Sequence, residues 1–236
     1  MALDVYVGSL TRYYAGDWEN ISERAARERG APFRVAHPGG SVDNDNDSES
    51  IRPEIVAWRL ALNESLGARL TAPLDWDEQP QAPYFTDRPG WDGFGSLVLW
   101  AAYAEHPALR RPLSLPEEWD SDPALMRSNV AGFRSRYSHL VRNVELWLPS
   151  PFDFTFEGED VDGRRVVVGS TATLRRQLGD LNGATWKANG DTVAGWTREP
   201  LADDALLDQS ARCAFAVLLD LAQLAVERRL PMKLDY

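Results

Sequence analysis

Apolar and polar positions change rhythm along this chain. Residues 3–10, LDVYVGSL, place Leu3, Val5 and Val7 on one side at the period of a strand. TRYYAG follows as a loop. DWENISERAARERG then reads as a helix, with Asp17 as cap, Glu19 in the first turn, Arg27 and Arg29 in the last, and Gly30 as the stop. FRVAH, residues 33–37, is a short second strand, and the polar run after it is a loop. From Ile51 to Leu70 the period becomes helical. Ile55, Trp58, Leu62 and Leu66 recur at three- and four-residue steps, and Pro53 fits the first turn.

Residues 71–93 are irregular by pattern, punctuated by Pro73, Pro80, Pro83 and Pro89. Helices are predicted over 93–105 and over 123–142, the second capped by Asp122. Then the period shortens to two. VELWLP (144–149), FDFTFEGE (152–159) and RRVVVGS (164–170) are strands, the last two joined by a hairpin turn at Asp162-Gly163. Ser170 or Thr171 caps a helix that Asn182-Gly183 stops; Asn189-Gly190 marks another turn. A long helix over 201–229 and a last strand, MKLDY, finish the pattern. This order predicts an α+β fold, with helices packed on one face of a small mixed or antiparallel sheet. One domain over 1–236 is expected, with a sub-boundary near 110–120 as the alternative.

Composition narrows the function. Hydrophobic residues make up 44% of 236, enough for a sizeable core. The chain carries 25 basic and 36 acidic residues, a net charge of −11. That balance disfavours nucleic acid and anionic membranes as partners and suits rapid capture of a basic protein. No basic stretch opens the chain and no apolar run reaches membrane-span length, so a cytoplasmic location is expected. The single Cys213 cannot form an internal disulfide and reads as a buried, inert thiol.

Candidate chemistry is sparse. Asp43, Asp45, Asp47, Glu49 and Glu54 stand at the oxygen-ligand steps of a calcium loop. Ser48 occupies the step that needs glycine, and no helix leads in, so the stretch reads as a solvated acidic loop open to a basic partner. No metal or cofactor is expected. His37, His106 and His139 lie far apart without metal-ligand or catalytic spacing. Gly169-Ser170-Thr171, between a strand and a helix, is either an anion cradle or an ordinary capped turn.

Acids beside tryptophans are the stronger signal. Asp75, Asp77 and Glu78 flank Trp76; Glu117, Glu118 and Asp120 flank Trp119. Of nine tryptophans, Trp58 and Trp100 fit apolar helix faces, while Trp18, Trp76, Trp91 and Trp119 are candidates for the surface. The opening LDVYVGSLTRYYAGDWEN resembles the start of uncharacterised bacterial proteins, some of them from toxin–immunity neighbourhoods. That resemblance spans about the first 20 residues and implies a toxin-neutralising role; no functional residue is carried over from it. The expectation is an immunity-type protein that occludes a basic toxin domain, using Asp75, Trp76, Asp77, Glu78 and the loop acids Asp43, Asp45, Asp47 and Glu49. The alternative is a hydrolase or transferase with a loop-built site around Tyr13, Tyr14, His37 and the Trp76 loop.

Overall fold

A computed structural model describes residues 2–30, 48–79, 81–198, 202 and 205–236. The expected strand at 33–37, with His37, and the loop acids Asp43, Asp45 and Asp47 lie outside the described residues.

Strand β1 (Asp4–Val7) is buried along its whole length. The chain then turns directly into helix α1 (Leu10–Ala15), where a loop was expected. The Ser9 hydroxyl caps it by accepting the Arg12 backbone N–H at 3.3 Å, and Gly16 closes it at φ 68°. Helix α2 (Ile21–Glu28) starts from Asn20 rather than Asp17. Asn20 and Glu23 form a capping box, each side chain accepting the other's backbone N–H at 2.9 Å.

Helix α3 (Ser48–Leu66) takes the expected amphipathic stretch and ends in a 3-10 turn over Gly67–Arg69. Inside the stretch expected to be irregular lies strand β2 (Phe85–Asp87), followed by α4 (Gly90–Glu105). The helix expected over 123–142 is two short pieces, α5 (Pro123–Ser128) and α6 (Ser138–Val141). Gly132 between them sits at φ 86°, outside the range a continuing helix can use. Strands β3 (Val144–Leu148), β4 (Phe156–Glu159) and β5 (Arg165–Ser170) follow, then α7 (Thr171–Ala184), α8 (Gly190–Trp196), α9 (Leu207–Arg228) and strand β6 (Met232–Asp235). Ser170 caps α7 as expected.

Among the described residues, six strands form one mixed sheet in the order β2-β1-β6-β3-β5-β4, in which β3 and β5 run parallel and the other paired neighbours antiparallel. The α+β class is as expected. The chain's last strand, β6, enters the middle of the sheet between β1 and β3. It thereby joins the N-terminal strand pair to the strand cluster beyond residue 144, and one sheet runs across the 110–120 region.

Each face of the sheet carries its own core. Val5, Val7, Met232, Leu234, Val144 and Trp147 face the larger layer, where α4 and α9 supply Leu97, Ala101, Phe215, Leu218 and Ala222. By length and hydropathy α9 would suffice to cross a bilayer; here most of its apolar side chains are buried inside the protein. The opposite face holds Leu146, Leu148, Val166 and Val168 under α1 and α3, through Leu10, Ile51, Ile55 and Leu66. Most of the helical mass therefore lies on one face, and a thinner layer covers the other. Side chains also cap both sheet edges. Arg24 of α2 donates to the Thr86 hydroxyl of β2 at 2.8 Å, and the Trp58 indole donates to the Glu159 carbonyl of β4 at 2.7 Å.

Candidate functional site

Residues 74–78 form a strip that alternates like a strand. Leu74, Trp76 and Glu78 point in, at 3%, 4% and 4% exposure, while Asp75 and Asp77 point out. The burial of Trp76 and Glu78 corrects the expectation that they are surface groups. In an extended segment every second side chain turns toward the core, so an acid and an indole are buried between exposed acids. The Glu78 carboxylate has a clear task there. It accepts the backbone N–H groups of Leu10 at 3.2 Å and Thr11 at 2.8 Å, which α1 leaves without helical partners, and the Trp76 indole N–H.

Two expected site acids, Asp75 and Asp77, are presented outward on this anchored strip. Asp75 is paired with Arg229 at 3.2 Å and with Arg59 at 3.5 Å. Arg59 in turn lies over the Trp76 ring and donates to the Trp76 carbonyl at 2.7 Å. The Asp77 carboxylate accepts the Gln79 backbone N–H at 2.9 Å. Asp75, Trp76 and Asp77, together with Arg228 and Arg229, line an open depression of about 410 Å³. Its charge is mixed, because α9 ends there in two arginines. Glu49 is exposed in the first turn of α3.

The other tryptophans proposed for the surface are packed. Trp119 presses on α4 at Gly95, where an added Cβ would meet its ring at 2.7 Å. Trp91 meets Tyr236 edge-on at 5.1 Å, and Trp18 stacks on Tyr13 at 5.5 Å.

A second centre lies on the thinner face of the sheet and was not read from the sequence. Lys233 of β6 is 3% exposed, cross-strand from Tyr6 and Leu146. Its ammonium is 3.2 Å from Asp160 Oδ2, at the start of the β4–β5 turn, and lies over the Tyr13 and Tyr14 rings at 5.4 and 5.7 Å. Asp160 is fully engaged: Oδ1 accepts the Arg164 backbone N–H at 2.9 Å, and Oδ2 accepts the Tyr14 hydroxyl at 3.1 Å. Tyr13 donates to Asp235 at 2.8 Å. Burial, reinforced by Asp235 for Tyr13 and Asp160 for Tyr14, pushes both phenols well above their ordinary pKa. Burial and the neighbouring Asp160 also push the Asp162 carboxyl up.

Tyr13 and Tyr14, named for the enzymatic alternative, are thus brought together. The group they surround is closed off from solvent, which does not suit an open catalytic site. One sign was readable: in MKLDY, Lys233 and Asp235 alternate with Met232 and Leu234, so one side of the strand had to be polar.

The third polar centre is His139 in α6, fully buried on the helix-rich side. Its Nδ1 lies 3.2 Å from the Ser138 hydroxyl, and its Nε2 has no hydrogen-bond partner. Burial, aided by Arg176, lowers its pKa to about 4, so the ring is neutral. Cys213 is half-buried, and burial raises its thiol pKa, which keeps it protonated. Among the described residues no group of three or more His, Cys, Asp or Glu side chains is placed to hold a metal ion.

No family profile matches the chain, and comparison with curated proteins and with solved structures finds no similar chain.

Proposed function

We propose that this chain is a cytoplasmic, immunity-type binding protein that occludes a basic toxin domain. The observation that carries this reading is the alternation over residues 74–78. Buried Leu74, Trp76 and Glu78 fix the backbone, so Asp75 and Asp77 are offered outward on a rigid rim beside a shallow depression. A preorganised rim loses little conformational entropy when a partner docks. The net charge of −11 supplies the long-range field that draws a cationic protein in. Arg59 and Arg229 hold Asp75 in place and set its direction; an arginine or lysine of the partner competes for the same carboxylate. The acids at 43–49 extend the same chemistry along the chain.

The test is binding to a basic toxin domain encoded beside the gene, measured by calorimetry at low and moderate salt. The wild-type chain should form a one-to-one complex that weakens as salt rises. Asp75→Lys with Asp77→Lys should weaken it about tenfold or more, as expected for opposed charges at an interface. An affinity that ignores both the reversal and the salt would sink the reading.

A further inference from the structure

Lys233 and Asp160 are two reactive groups held in contact and shut away from water. Nζ lies 3.2 Å from Oδ2, and the two side chains are 3% and 1% exposed. The Tyr13 and Tyr14 rings wall the ammonium, and Leu146 and Tyr6 flank Lys233 on the neighbouring strands. The two carboxylate oxygens are held differently. Oδ1 accepts a backbone N–H, which suits an oxygen that stays as an amide carbonyl; Oδ2 accepts the Tyr14 hydroxyl and faces the amine.

We propose that Lys233 and Asp160 condense into an intramolecular isopeptide bond. Nζ bonds to Cγ of Asp160, and the Cγ–Oδ2 bond breaks. Two protons of the lysine ammonium leave with Oδ2 as one water. The positive and negative charges vanish together, and no oxidant, cofactor or co-reactant is consumed. Fixed proximity supplies much of the drive, since well-oriented intramolecular partners react as if at roughly 10⁵–10⁸ M. Burial and the neighbouring Asp160 push up the carboxyl of Asp162, two residues further along the same turn. Exclusion of water then protects the amide from hydrolysis. The bond would tie the last strand, set in mid-sheet, to the β4–β5 turn 73 residues earlier.

Intact-mass spectrometry of the denatured, purified full-length chain decides this. The expected result, after allowance for Met1 removal, is the sequence mass less one water. A branched peptide joining the Asp160 and Lys233 segments should appear on digestion. Lys233→Arg should return the full sequence mass. Asp160→Asn should reach the same linked product as the wild type, releasing ammonia in place of water. A wild-type chain at full sequence mass, with Lys233 open to amine reagents once unfolded, overturns the proposal even if neither variant folds.

Discussion

The two faces of the sheet solve the problem of burial differently. The helix-rich face is apolar: Val5, Val7, Met232, Leu234 and Trp147 meet α4 and α9, and almost any volume-matched hydrocarbon set would serve. The thinner face mixes Leu146, Leu148 and Val168 with Lys233, Asp160, Tyr13 and Tyr14, whose polar atoms must find each other. Hydrocarbon packing is additive and tolerant. A buried ion pair is neither, because removing one partner leaves an uncompensated charge in a medium that cannot solvate it. The comparison teaches that burial alone does not measure how a region responds to change.

Five single substitutions, one double variant and one titration can break or sharpen that contrast. On the apolar face, Phe215→Ala should cost about 3–5 kcal/mol in urea unfolding, at a value that does not change with pH. On the mixed face, relative to the chain with the pair unlinked, Asp160→Ala should cost a similar amount, about 3–5 kcal/mol, because it strands the buried Lys233 ammonium. The diagnostic is a double change, Asp160→Leu with Lys233→Met, which should recover about half of that loss or more. If the double variant is as unstable as the sum of its parts, the two faces are alike after all.

His139 is a buried titratable group on the helix-rich side. Its pKa is lowered from 6.5 to about 4, so the unfolded chain takes up the proton first as pH falls. Its stabilising contribution is full above pH 6.5 and is lost as pH drops toward 4, by roughly 3 kcal/mol. Urea titrations across that window should show the slope in the wild type and a shallower one in His139→Gln.

Smaller effects are expected at the strip. Glu78→Gln keeps the shape but removes the charge facing the start of α1, and should cost about 1 kcal/mol. Asp75→Ala, on an exposed pair, should change stability by less than about 0.5 kcal/mol. It should still weaken partner binding, and that split separates a presenting residue from a supporting one.

Legibility followed the range of the interactions. Helices α3, α7 and α9 and strands β3 and β5 were readable because their apolar period repeats several times. Helix α1 was missed: Ser9 is a fair cap, yet six residues offer too little period, and the carboxylate that satisfies its first N–H groups comes from residue 78. The helix expected over 123–142 failed for the opposite reason, since one glycine in a left-handed conformation breaks a run whose apolar pattern continues. At the strip, the letters Asp-Trp-Asp-Glu were read as one polar patch. Their alternation, once extended, buries half of them.

By itself the sequence determined the acidic charge, the α+β class, the hairpin at Asp162-Gly163 and the amphipathic helices, because each depends on composition or on neighbours a few residues apart. Only the tertiary structure decided that β6 enters mid-sheet, that Glu78 serves α1, and that Lys233 meets Asp160. Those outcomes pair groups 67 and 73 residues apart. A buried charge is stabilised by whichever opposite charge the chain path delivers, and no local pattern records that path.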